Sequence, residues 1–586
     1  MRQRLFGISL VFVAFLAIVS TETRSFRPVT TQMLLHPDAD DWLMFSRTYD
    51  AQRFSPLKQI TRQNVGRLTT AWTRTLPDGY HKTIPIVYRG VMYVAMPGTS
   101  VQALDAATGA TLWEYTHDTK IANKIKSLAI FGDLVYFLAG DGHLVALEAR
   151  TGRVRWQTKT DGSQTSAPIV VEGKVVSGRS CMWEGVGKGF ASCYVAAHHA
   201  ETGTEAWRFY TAARPGDPGG ETWGDLPGDM RETGTWGLPG SYDPVRRLIY
   251  WGVSNPTPNS RLERHGWNAD AIPRSAPADL YSNSTVALDP ATGKVVWYYQ
   301  HLPGDDWDLD YTHERTLFRT PVNPDPKFVK WINPTIRRNE PRDVAVMVGE
   351  GGGIFALDRQ SGKFLWAAPF PGDVPEFAIS RIDVTTGRTY MNSDRMFTRP
   401  GEGPYVVCYW NTRGPFPTAY HPRLNSLYVP FQDTCIEMAA GAPAKDGMPA
   451  VPERRRTAVP RPGSDPAAFA GLAKINMATG ETQFIAKGRV PGYGAVLATA
   501  GDLVFWGQLD GHLNAFDAES GRKVWESTLQ GPIQNSTITY AVDGKQYIAV
   551  MTGNAAGLTG TFPQLKDIEL LSGRGKNELV VFALPR

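Results

Sequence analysis

The stretch that decides the fold is Ala103-Leu-Asp-Ala-Ala-Thr-Gly109, followed by Trp113. It returns as Ala146-Leu-Glu-Ala-Arg-Thr-Gly152 with Trp156, and as Ala197-His-His-Ala-Glu-Thr-Gly203 with Trp207. Further copies are Ala287-Leu-Asp-Pro-Ala-Thr-Gly293 with Trp297, Ala356-Leu-Asp-Arg-Gln-Ser-Gly362 with Trp366, and Ala515-Phe-Asp-Ala-Glu-Ser-Gly521 with Trp525. A degenerate copy runs from Lys474 to Gly480, with Phe484 in the tryptophan's place. In every full copy the tryptophan stands four residues after the glycine. Each unit reads as a strand, a tight turn and a second strand. The Asp and Thr side chains bond their own backbone in the turn, and the Gly takes a positive φ. The Trp then opens the next strand and packs between neighbouring sheets.

Adjacent copies such as Gly109 and Gly152 lie one four-stranded blade apart, roughly 40–45 residues. The reading is an all-β chain, an eight-bladed β-propeller with tryptophan-docking repeats. Seven units are marked, and the eighth is expected from the two chain ends, Leu68 to Trp72 with Glu578 to Leu584. Joining the ends in one sheet removes the open edges. Arg381 to Gly387 looks like another copy but follows Gly362 too closely to be a blade. Met438 to Gly471, rich in Ala, Pro and Arg, is expected to be an irregular surface loop.

Composition agrees. Among 586 residues, Gly 58, Pro 42 and Trp 17 are high, which suits short strands with many turns. The net charge of +4 gives no electrostatic case for nucleic acid. Arg2 and Arg4 precede an uncharged, mostly apolar run from Leu5 to Ser20, read as a signal peptide over residues 1–22. The propeller is expected over 38–586, exported to the periplasm, with no membrane span after cleavage. The four cysteines allow three pairings, of which the local one, Cys181–Cys193 with Cys408–Cys435, is the simplest in an oxidising compartment. No Cys-x-x-Cys occurs, so neither a zinc ribbon nor covalent haem c is expected.

The chemistry concentrates in Gln300 to Glu314, where Asp305, Asp306, Asp308 and Asp310 surround Trp307. On a strand end Asp308 and Asp310 would share a face. Paired carboxylates call for a proton or a cation, and hard oxygen donors suit calcium or a trivalent lanthanide. A solvated acidic loop is the bland alternative. Asn255 and Glu184 also stand at the ends of apolar strands. His198, His199, His265 and His313 show no ligand spacing.

These segments resemble the PQQ-dependent methanol/ethanol dehydrogenase family. The likeness includes Asp41-Trp42, Arg53-Phe-Ser-Pro-Leu57, Gly240-Ser-Tyr-Asp-Pro244, Tyr281 to Asp289 and Leu497 to Phe505, in order along the chain. It implies oxidation of a primary alcohol by pyrroloquinoline quinone (PQQ), with electrons passed to a soluble cytochrome c. It implies Glu184, Asn255, Asp308 and Asp310 as metal ligands and Asp308 as the catalytic base. Asp310 matches the extra carboxylate of lanthanide-using members, and the metal stays open between lanthanide(III) and calcium. Trp236, Thr165 and Lys126 fall where the family contacts the quinone. A homodimer is compatible with the resemblance, as are a PQQ sugar or polyol dehydrogenase and a non-catalytic propeller scaffold. Three features depart from the pattern: no two cysteines are adjacent, Glu350 stands where a basic residue is usual, and Trp410 to Pro415 replaces a family motif.

Overall fold

A computed structural model of the chain describes residues 26–79, 82–122, 126–162, 166–179, 193–414, 416–445, 448–555, 562–572 and 575–585. Eight sheets carry four strands each in meander order, and two of them gain a fifth strand. The first blade contains Ile86–Tyr88, Val91–Ala95, Ser100–Asp105 and Thr111–Thr116. The second to seventh blades follow along the chain, with first strands at Ala129–Phe131, Ile169–Val171, Ser241–Asp243, Thr316–Val322, Ala419–His421 and Leu497–Thr499. The eighth joins Ile538–Val542, Lys545–Thr552 and Glu578–Ala583 to the N-terminal strand Thr69–Thr75. First strands of neighbouring blades touch, as Ala129–Phe131 does Ile169–Val171, so they line the axis.

The repeat explains the ring. Gly109, Gly152, Gly203, Gly293 and Gly362 all have φ between 69° and 75°. A Cβ on any of them would fall 2.4–2.6 Å from a neighbouring side chain, chiefly the tryptophan of the preceding blade: Trp72, Trp113, Trp156, Trp207 and Trp297 in turn. Four of these indoles also donate Nε1–H to a carbonyl three residues before the docking glycine. The acceptors are Ala106, Ala149, Ala200 and Pro290, at 2.9–3.3 Å. The next seams are aliphatic: Gly480 meets Val329 and the edge of Trp366, and Gly521 meets Ile485. Trp525 closes the circle edge-on to Phe582 of the eighth blade, 5.5 Å between centroids. The Asp turns behave as expected; Asp105 Oδ1 accepts from the Ala107 and Thr108 amides.

The Arg381–Gly387 copy builds only a two-stranded hairpin, Ile379–Ile382 with Thr389–Met391. The segment 438–471, expected to be an irregular loop, contains the strand Arg454–Pro460. That strand pairs with Thr434–Ala439, which pairs in turn with Tyr405–Cys408. The Ala/Pro-rich residues before it hid a partner supplied from elsewhere in the chain. Cys408 and Cys435 are direct cross-strand partners here and form a disulfide, Cα–Cα 4.4 Å. Cys193 is also disulfide-bonded, and Cys181 lies outside the described residues. Ordered packing starts before residue 38: Val29 pairs with Gly132 and Leu34 is buried. No helix among the described residues is long and apolar enough to cross a membrane; the expected signal, 1–22, lies outside them.

Candidate active site

Second strands of consecutive blades end at the same rim of the ring. Those of blades three, four and five are Lys174–Arg179, Leu248–Gly252 and Glu340–Gly349. The connections that leave the second and third of these carry Asn255 and Glu350, which explains how residues so far apart in sequence converge. Glu184 and Thr165 lie outside the described residues. Asn255, Asp308, Asp310, Trp236 and Lys126 are linked into one constellation.

The segment from Asp305 to Asp310 is a loop, not the strand end expected from its alternation. Asp305 accepts the amide N–H of both Trp307 and Leu309, each at 2.7 Å. The clasp grips both neighbours of Asp308 and fixes that residue at φ 65°, a left-handed conformation that costs a non-glycine residue about 1–3 kcal/mol. Desolvation, opposed by these hydrogen bonds, pushes the Asp305 carboxyl up to about 6. Asp306 turns the other way, into a fully buried pair with Arg261 (both side chains 0 % exposed, Nε–O 2.6 Å). Only Asp308 and Asp310 face the site.

Asp310 is the hub. One carboxylate oxygen accepts Trp236 Nε1–H at 2.6 Å and the other the Asn255 amide at 2.9 Å, while its carbonyl accepts the Glu350 amide at 2.8 Å. Burial, followed by the neighbouring Asp308 charge, holds the Asp310 carboxyl well above the usual range. Glu350 is raised in the same way, by burial and then by Asp310 and Asp308. Trp236 is gripped a second time by Lys126, whose ammonium donates to its carbonyl and lies 5.4 Å from its ring centroid. Burial lowers Lys126 to about 7.

Two contributors were not legible in the sequence. Arg455 donates to Asp308 at 2.5 Å, with side-chain exposures of 25 % and 22 %. Glu453, two residues earlier, accepts from Asn259 at 3.2 Å, and Asn259 accepts from Asn255 Nδ2 at 3.0 Å. The relay turns the Asn255 amide so that its buried Oδ1 has no hydrogen-bond donor among the described residues. An acceptor in that state normally costs about 1–3 kcal/mol, and beside crowded carboxylates it is poised for a cation. The donor set is all oxygen, which fits calcium or a lanthanide and not zinc. Trp236, held from two sides, offers a flat face for a planar cofactor.

Comparisons with known proteins agree. A family profile described as the PQQ glucose/ethanol/alcohol dehydrogenase β-propeller domain matches residues 42–130, 158–371 and 470–548. The gap between 371 and 470 contains the added sheet that delivers Arg455. The chain is 32% identical to the quinohemoprotein alcohol dehydrogenase ADH IIB of Pseudomonas putida, over 93% of this chain and 77% of the relative. Among solved structures it is similar to the quinohemoprotein alcohol dehydrogenase ADH IIG of Pseudomonas putida. That match has TM-score 0.80 and 28% identity, covering 96% of this chain and 83% of the other. A europium-containing methanol dehydrogenase also matches, with TM-score 0.76 and 25% identity over 94% and 99%. Repeat, ring closure, oxygen-rich rim and relatives converge on one conclusion: the chain belongs to the PQQ-dependent alcohol dehydrogenase family of β-propeller quinoproteins.

Proposed function

We propose that this quinoprotein oxidises a primary alcohol to an aldehyde in the periplasm, with Asp308 as the base. The observation that carries it is the buried Asn255 Oδ1, without a hydrogen-bond donor among the described residues, next to an Asp310 that feels the Asp308 charge. Asn255, Asp308 and Asp310, with Glu184 by resemblance, would hold the cation. A lanthanide(III) suits the crowd better than calcium, because Glu350 adds a further carboxyl close enough to feel the charges of Asp308 and Asp310. When bound, PQQ supplies a two-electron acceptor and the cation a Lewis acid that polarises it.

The chain's own residues do the rest. Asp308 takes the hydroxyl proton of the alcohol, and its left-handed backbone aims the carboxylate for that task. Asp310 stays fixed by its two donors and positions Trp236 and the Asn255 amide together. Arg455 occupies the Asp308 carboxylate from the open side and must give way for the base to accept a proton. Thr165 and Lys126 are assigned to the carboxylates of the quinone. Reduced sites pass electrons to a soluble cytochrome c; the Cys408–Cys435 disulfide suits the oxidising compartment where such carriers work.

The test is reconstitution of metal-free protein with PQQ plus lanthanum or calcium, assayed on primary alcohols with an artificial electron acceptor. Activity is expected with lanthanum and is lost in Asp308→Asn. Equal activity of variant and wild type would remove Asp308 from its role.

A further inference from the structure

We propose that His117, Asp141 and His143 form a second cation site, built for a divalent transition metal of the zinc type. His117 follows the outer strand of the first blade, Thr111–Thr116. Asp141 and His143 belong to the turn between the second and third strands of the second blade, Leu134–Leu138 and His143–Glu148. Asp141 Oδ2 lies 3.1 Å from His117 Nε2 and 2.9 Å from His143 Nδ1, and the three donor atoms all fall within 4.8 Å of one another. Ligands bonded at ~2.0–2.2 Å to one tetrahedral ion stand roughly 3.3–3.6 Å apart, so these atoms need to spread by only a few tenths of an ångström to hold one.

Three features separate this trio from a chance contact. First, Tyr115 OH sits 3.1 Å from His117 Nδ1, so the ring is oriented from behind with Nε2 presented to the cluster. Such an outer partner on the second nitrogen is the usual companion of a metal-bound imidazole. Second, side-chain exposure rises from 6 % at His117 through 17 % at Asp141 to 24 % at His143, which leaves one side open for an ion and a fourth, water ligand. Third, the molecule contains its own control. The seventh blade has the same Asp-Gly-His turn, Asp510-Gly511-His512, and there too the histidine Nδ1 meets the aspartate, at 3.0 Å. The Asp–His contact alone is therefore chemistry of the turn. What the second blade adds is a third donor, His117, from a different blade.

Two imidazoles and one carboxylate favour zinc, copper or nickel over the hard ions suited to the oxygen-rich rim. The added cation would tie two segments that already touch. Gly140 lets the Ile121 and Ala122 carbonyls approach so closely that a Cβ would sit 2.4–2.6 Å from them. The same connection runs on to Lys126 and its grip on Trp236. The metal would thus brace the wall of the quinone site without entering it.

The experiment uses the full chain, stripped with chelator and given calcium to fill the oxygen site, then titrated with zinc by calorimetry and with cobalt(II) as a visible-absorption probe. One zinc per chain and a tetrahedral cobalt band are expected in wild type and in His512→Ala. His143→Ala, at the most exposed ligand, should weaken zinc binding at least tenfold with an unchanged unfolding midpoint; His117→Asn should do the same. Zinc binding equal in wild type and both ligand variants, or no stoichiometric binding in wild type, overturns the site.

Discussion

Asp306 and Asp308 stand two residues apart and each meets an arginine, yet the two pairs do opposite work. The Asp306–Arg261 pair is sealed, and the Asp306 carboxylate also accepts the Arg261 amide. The Asp308–Arg455 pair lies open at the rim, on a residue in a left-handed conformation, with an arginine from an added sheet. Identical charges thus serve the fold in one place and stand available for chemistry in the other. Water decides which: a sealed pair cannot be opened without stranding a charge, whereas an open pair exchanges partners cheaply.

The same substitution at both positions should pull this contrast apart. Asp308→Asn, which tolerates the positive φ, is expected to lower kcat about 100-fold or more, the scale of a lost general base. Its unfolding free energy should stay within about 1 kcal/mol of wild type. Asp306→Asn should do the reverse, destabilising the chain by about 3–5 kcal/mol in urea unfolding because Arg261 keeps a buried charge without a counter-ion. If both variants lose activity and neither loses stability, the division between the pairs fails.

Asp41 sharpens the contrast as a buried aspartate given a backbone amide, Arg89 N at 2.8 Å, in place of a sealed guanidinium pair. Desolvation lifts its carboxyl to about 6. Because the folded value lies above the unfolded one, its stabilisation is full below about pH 4 and fades as pH rises through 6. Asp41→Asn should flatten the stability–pH curve across that window, by up to about 3 kcal/mol. The smallest effect is expected from Arg455→Gln. Removing the cation that competes for Asp308 should tighten calcium binding about fivefold, the ~1 kcal/mol worth of a half-open pair. Looser calcium binding in calorimetry would make Arg455 a support of the site and not a competitor.

What could be read from the sequence follows from how local each signal is. The tryptophan four residues after each glycine is written within one turn, so the blades and even the closing strand pair were legible. That Asn255, Asp308 and Asp310 lie close together could be anticipated from their motifs. The facing of Asp308 was read from strand periodicity, which holds only in extended backbone; Asp305 bends the loop and voids it. Arg455 and Glu453 escaped because their placement depends on pairing with Thr434–Ala439, a non-local choice that composition does not encode. His117 and His143 escaped for the same reason, since the seam between two blades brings them together. Glu350 looked like a gap in the cofactor's surroundings, and its burial beside Asp310 makes it part of the charge crowd.

The eighth blade sets a clock on the molecule's birth. Its outer strand, Thr69–Thr75, is synthesised about 500 residues before its partner, Glu578–Ala583. Asn577 reaches back across 500 residues to donate to the Pro77 carbonyl. Until then the nascent chain carries an unpaired edge and an open ring, the kind of surface that invites aggregation. A chain stopped before Glu578 would carry seven blades that cannot lock. Pairing of Glu578–Ala583 thus marks the moment at which the early strand stops being an open edge.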